Sequence, residues 1–197
     1  MISTTPLLTG LAMALLCIAW ASILLPVYRL PLAARVLLIV GITLLLVLPV
    51  SGLPGWYYVR GVFGDSSITA LFFYSAIILQ QYFSWQLFKN DELVLLRRLS
   101  LAAALLLYPF ALGLTQFDSY RLGYSNLWLL LVILLITLFC WLRKYYFTAI
   151  IITAAVIAFT QQLLESHNLW DYLLDPLFII AVILVWLVPR YQGSTPG

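Results

Sequence analysis

"NLWLLLVILLITLFCWL", residues 126–142, decides the fold. It carries no charged side chain, and Trp128 and Trp141 stand near its two ends. A helix crosses the hydrocarbon core of a bilayer with about 20 apolar residues, and tryptophan favours the interface on either side. Lipid offers the backbone no hydrogen bonds, so only helices and closed barrels span it. A barrel strand would alternate apolar and polar positions, and this run does not. The stretch reads as a transmembrane helix.

Working outward, six further apolar runs resemble it, at about 6–27, 32–53, 67–88, 99–117, 145–163 and 173–190. The last is the shortest. Asp175 and Pro176 interrupt its start, Pro189 and Arg190 close it, and Trp186 and Tyr191 are placed to anchor its far end. The whole chain is 64% hydrophobic and 9% charged, against roughly 25% charged for soluble proteins. No polar block is long enough to fold alone. The expectation is an all-α, polytopic transmembrane bundle of about seven spans, with residues 1–197 forming one integral membrane domain. The first run lacks the positive flank of a cleaved leader and reads as a retained span.

The charges orient it. Arg29, Arg35, Lys89, Arg97, Arg98, Arg143, Lys144 and Arg190 all fall on one side of the seven-span arrangement, and only Arg60 and Arg121 on the other. Cytoplasmic connections carry the excess of Lys and Arg. This predicts an outer N-terminus and a cytoplasmic C-terminus in a bacterial inner membrane. The absence of an Asn-x-Ser/Thr sequon suits that setting. No basic run alternates with aromatics, so nucleic acid is not an expected partner. Cys17 and Cys140 lie within apolar runs and read as packed or lipid-facing thiols.

Polar chemistry gathers on the expected outer face. "ESHNLWDYLLDP", residues 165–176, holds three of the seven acids and the only histidine. Asp65 and Asp118 lie on the same side. In a helical reading His167, Asp171 and Asp175 are spaced i, i+4, i+8 and share one face. His167 with Asp171 would make an acid–base pair. Arg60 and Arg121 would clamp a phosphate or carboxylate. Asp65, Asp118, Glu165 and Asp175 complete a candidate surface for a lipid headgroup or glycan. The plainer reading is that these residues cap and join helix ends, with Trp170 and Tyr172 as interface anchors. No metal or cofactor is expected, and signatures such as His-Glu-x-x-His are absent. Either way, at least one of Arg60 and Arg121 should pair with an acid of 165–175, because an unpaired charge beside lipid is costly.

Local signals add detail. Asp65, Ser66 or Ser67 suits a cap for the third span, Ser125 or Asn126 for the fifth and Asp175 for the seventh. Gly55, Gly61 and Gly64 suggest tight turns in "PGWYYVRGVFGDSS", residues 54–67. "KNDELVLLRR", residues 89–98, reads as a short interfacial helix or a docking segment. Pro109 and Gly113 should bend the fourth span. Gln80 and Gln81 on the third span echo Gln161 and Gln162 on the sixth. An inverted repeat is one reading and hydrogen bonds between helices the plainer one.

The leading functional expectation is a non-catalytic accessory or scaffold subunit that presents its outer crown to a cell-envelope protein, lipid or glycan. The alternatives are a small enzyme acting on a lipid-linked substrate, and a transporter lined by the glutamines.

Overall fold

The structure is a computed structural model that describes residues 5–113, 118–124 and 127–187. These residues are helical apart from short turns and one small hairpin. They pack as two compact units, one within Met1–Ser66 and Leu71–Leu87, the other within Ser67–Ala70 and Phe88–Gly197. Among the described residues three stretches are long and apolar enough to cross a membrane: Leu7–Leu24, Asn90–Ala111 and Leu169–Leu187. The chain is all-helical in class and built as a membrane protein.

The first unit holds α1 (Thr5–Leu24), α2 (Leu32–Val47), a hairpin of β1 (Pro49–Val50) and β2 (Leu53–Pro54), α3 (Gly55–Phe63) and all but the first turn of α4 (Ile68–Phe83). Met13 of α1, Leu46 of α2 and Trp56 of α3 form a buried core. The expected span 32–53 stops at Val47 because Pro49 disfavours the helical region for the residue before it. Leu48 is accordingly extended. The chain then reverses through Ser51 and Gly52, both at positive φ. The expected glycine turns of 54–67 are largely absent, because Gly55 and Gly61 lie inside α3. Gly55 is there for a different reason. A Cβ at this position would stand 2.6 Å from the Leu45 carbonyl oxygen, so α3 starts with its backbone against the end of α2.

Arg35 holds the opposite end of this unit. Its guanidinium donates to the carbonyls of Tyr28, Leu30 and Gln81 at 2.6, 2.8 and 3.0 Å. The Gln81 side chain, buried in α4, donates to the Ser22 carbonyl of α1 at 3.1 Å.

The second unit holds the first turn of α4, then α5 (Asn90–Ala111), α6 (Leu127–Leu142), α7 (Tyr146–Thr160), α8 (Leu169–Leu173) and α9 (Pro176–Leu187). α6 and α7 form a helical hairpin, turned at Lys144 with φ 62°. Exposed leucines such as Leu134, Leu135 and Leu142 line α6, a surface suited to hydrocarbon rather than water.

Residues 89–98 are not a separate interfacial helix. They enter α5 at Asn90 and continue without a break to Ala111. Asp91 and Glu92 favour this start, since acids stabilise the positive end of a helix. Glu92 is buried, and its carboxylate accepts the Thr148 backbone N–H at 2.7 Å. That bond satisfies one of the donors left open at the start of α7. Pro109 lies inside α5, which stops two residues later at Ala111, and Gly113 turns the chain with φ 77°. α7 stops at Thr160, so Gln161 and Gln162 lie beyond it, exposed, with Gln162 at φ 51°. Ser125, Asn126, Pro189, Arg190 and Tyr191 lie outside the described residues.

Candidate functional site

The polar centre of the second unit joins the connection at 118–124 to the stretch at 164–175. Asp118 starts it. Its Oδ1 accepts the Tyr120 N–H at 2.9 Å, which makes a local turn of the kind aspartate favours. A short 3-10 turn, Tyr120–Gly123, follows. Gly123 lies flush against the Asn168 side chain, and a Cβ there would overlap Asn168 Oδ1 and approach the Trp170 ring within 2.8 Å.

Residues 165–175 are not one helix. Only Leu169–Leu173 is helical, and Asn168 before it is extended. Asn168 Oδ1 accepts the Trp170 N–H at 3.0 Å, so the residue caps α8. Its side-chain amide donates to the Tyr120 carbonyl at 2.9 Å. His167, Asp171 and Asp175 therefore do not share a helical face. The expected i, i+4, i+8 alignment fails because asparagine's short amide bonds nearby backbone and favours a cap over a helix interior.

Asp171 is half-buried and accepts two hydroxyls on Oδ2. Tyr120 donates at 2.7 Å, and Ser166 donates through a short bond. Burial, and then the hydrogen bond and charge of Asp171, push the Tyr120 phenol well above its usual range. Ser166 Oγ in turn accepts the Asn168 N–H at 3.0 Å.

Trp170 and Tyr172 are buried rather than set at an interface. Trp170 Nε1 donates to the Ser119 carbonyl at 3.1 Å. The Tyr172 hydroxyl accepts the Leu164 N–H at 3.1 Å and lies within bonding distance of the Leu164 and Ser166 carbonyls. Each ring carries one polar atom, and the folded loop satisfies it.

Asp175 performs the capping role expected of it. Oδ1 accepts the Phe178 N–H of α9 at 2.7 Å, and Oδ2 accepts the Ser67 N–H at 2.9 Å. Of the three candidate caps for α4, Ser67 is the one used: its Oγ accepts the Ala70 N–H at 3.1 Å. One carboxylate thus serves the starts of two helices.

The remaining candidates are more dispersed. Arg60 and Asp65 belong to the first unit and form a two-point ion pair, Nε to Oδ1 at 2.7 Å and Nη2 to Oδ2 at 3.0 Å. This pair is local. α3 ends at Phe63 and Gly64 turns the chain, so Asp65 returns to an arginine five residues back. The Arg60–Asp65 pair therefore lies within a single connection. Arg121, Glu165 and His167 are exposed. Among the described residues His167 makes no hydrogen bond to Asp171, and no three His, Cys, Asp or Glu side chains are grouped as metal ligands.

The buried Glu92 and the Tyr120–Asp171 bond went unanticipated. Glu92 had a signal, as an acid in a first helical turn. The Tyr120 bond had none, because its partners are far apart in sequence. No protein-family model matches the chain, and neither a curated protein nor a solved structure is significantly similar to it.

Proposed function

We propose that the protein is an accessory or scaffold subunit of the bacterial inner membrane, with seven spans, an outer N-terminus and a cytoplasmic C-terminus. Its outer crown would present a fixed surface to a cell-envelope protein, lipid or glycan. The observation that carries this reading is the hydrogen-bond network around Asp171 Oδ2. One oxygen of its carboxylate accepts both Tyr120 and Ser166, which favours a shaped surface over acid–base chemistry with His167. Asp118, Arg121, Glu165 and His167 stand exposed around the network as its recognition groups.

The span count is supported by the apolar helices α2, α4, α6 and α7, of 15 or 16 residues each. At 1.5 Å per residue they reach about 23 Å, less than the ~30 Å hydrocarbon core. Local bilayer thinning and snorkelling of flanking side chains such as Arg143 and Lys144 make up such a difference. The positions of Gln161 and Gln162 beyond α7 give little support to a glutamine-lined transport path.

Two experiments test the reading. Reporters fused to the C-terminus should be active in the cytoplasmic form and silent in the periplasmic form; the reverse overturns the topology. In-cell cross-linking from the neighbouring exposed position 124 should capture a discrete species. The combined Arg121→Ala, Glu165→Ala and His167→Ala variant should lose that species at unchanged thermal stability. Retention of the species, or its absence from the parent, overturns the scaffold role.

A further inference from the structure

Arg97 lies about two turns into α5 and is 7% exposed. Its Nε and Nη2 are both buried and have no hydrogen-bond partner. These two nitrogens make one edge of the guanidinium, the edge that meets a two-oxygen anion with parallel N–H bonds. Arg60 uses the same edge on Asp65, Nε to Oδ1 and Nη2 to Oδ2. At Arg97 no group of the chain takes it.

The chain has no acid left to supply. All seven acidic side chains lie among the described residues, and none forms an ion pair with Arg97. On α5 itself Asp91 is exposed, and Glu92 gives Oε1 to the Thr148 N–H. They precede Arg97 by six and five positions, whereas side chains meet along a helix at three or four. An arginine stays protonated in proteins, and a buried charge without a partner is strongly unfavourable. Water would satisfy the N–H groups and leave the charge unbalanced. The counter-charge therefore comes from outside the chain.

We infer that the Nε–Nη2 edge of Arg97 binds a terminal phosphate group, carried by a lipid headgroup or present as the free anion. Charge selects phosphate over the carboxylate of a partner protein. The Thr148–Glu92 bond places the start of α7, and with it the Arg143–Lys144 turn, at the end of the unit where α5 begins. That end carries Lys89, Arg97, Arg98, Arg143 and Lys144 against Asp91 and Glu92. A terminal phosphate bears about −1.5 to −2 at neutral pH, a carboxylate a single charge. A field of one sign concentrates the more highly charged anion. The planar fork of arginine fits phosphate oxygens in pairs, which lysine does not. A rotation of the long arginine stem presents the edge to the ligand without moving α5. The headgroup source rests on α5 spanning the membrane; the free anion does not.

The experiment uses the full chain, washed extensively in neutral detergent, with thermal unfolding followed at constant ionic strength. The probes are inorganic phosphate, dihexanoyl phosphatidic acid and, as the carboxylate control, acetate. At least one phosphate probe should raise the parent midpoint saturably, at concentrations where acetate does not. A response to the lipid alone identifies a headgroup, and a response to inorganic phosphate identifies the free anion. Arg97→Met removes both bonds and should weaken binding about a hundredfold, at about tenfold for each charge-assisted bond. Arg97→Lys keeps the charge without the paired edge and should weaken it about tenfold; it carries the test if the methionine variant does not fold. Arg98→Met, at an exposed neighbour, should bind as the parent does. Recovery of the chain outside the membrane fraction would remove the headgroup source and leave the free anion to be tested. A parent that responds to neither phosphate probe, that responds equally to acetate, or whose response survives in both Arg97 variants overturns the inference.

Discussion

The Tyr120 hydroxyl meets Asp171 Oδ2 at 2.7 Å across 51 positions of sequence. This bond clasps the connection that follows α5 to the loop that precedes α9. Tyr120→Phe removes the donor and leaves Ser166 as the carboxylate's remaining hydroxyl. The expected cost is about 1.5–3 kcal/mol, the range for a hydrogen bond to a charged group. Thermal unfolding in detergent should register it, and an unchanged midpoint would show that the clasp does not hold the loops.

The same tyrosine predicts an alkaline limit. Its phenol is pushed up, first by burial and then by Asp171. A group that binds its proton more tightly when folded stabilises the fold below its unfolded pKa, here about 10. The contribution is lost as pH rises through the folded value. Between pH 9 and pH 11, roughly the window opened by that unfolded value, the parent should lose more stability than Tyr120→Phe. Parallel losses would argue against the bond as the cause.

Asp175 offers a graded test. Asp175→Ala removes the acceptor for Phe178 and for Ser67, two helix starts at once. A lost cap costs about 0.5–2 kcal/mol, and the second bond adds to it. Asp175→Asn keeps one oxygen acceptor and should recover the α9 cap but not both bonds. Equal stability of the two variants would mean that the oxygen retained in Asp175→Asn contributes nothing, and equal stability of Asp175→Asn and the parent would mean the same of the other.

Two glycines should respond in opposite directions. Gly55→Ala drives a methyl group to 2.6 Å from the Leu45 carbonyl oxygen and should destabilise by roughly 1–3 kcal/mol. Gly41, within α2, has open space around its missing Cβ. Gly41→Ala should stabilise by roughly 0.5–1 kcal/mol, the helix preference for alanine. Any order other than Gly41→Ala above parent above Gly55→Ala contradicts the packing described.

The glutamines should separate as well. Gln81→Leu loses the bond to Ser22 and should cost about 0.6–2 kcal/mol. Gln80→Leu, Gln161→Leu and Gln162→Leu alter exposed positions and should stay within about 0.5 kcal/mol of the parent. A large effect at Gln161 or Gln162 would point to a role outside the described fold.

What was legible in the sequence was local or compositional. Asp175 before Pro176 and Ser67 before α4 were readable as caps because a cap acts within three residues. The apolar runs announced helices because period and composition are properties of a short window. Asn90–Ala111 was split in two by its charges, although Asp91 and Glu92 favour a helix start and Arg97 is buried within the same helix. Charge marks where lipid ends, and a helix need not end there. Residues 165–175 misled in the opposite way: spacing suggested a helix face, while Asn168 broke the helix and tied it to Tyr120. Partners so distant in sequence leave no periodic trace in it.

The membership of α4 sets a limit on how this chain can be cut. Its first turn packs with one unit and its remainder with the other. A C-terminal fragment starting at Phe88 would lack Ser67, stranding one oxygen of Asp175 without its donor. An N-terminal fragment ending at Leu87 would keep Ser67 with nothing to receive its N–H. Separating the chain into two fragments near residue 87 therefore costs the Ser67–Asp175 bond. The seam between the units runs through a helix.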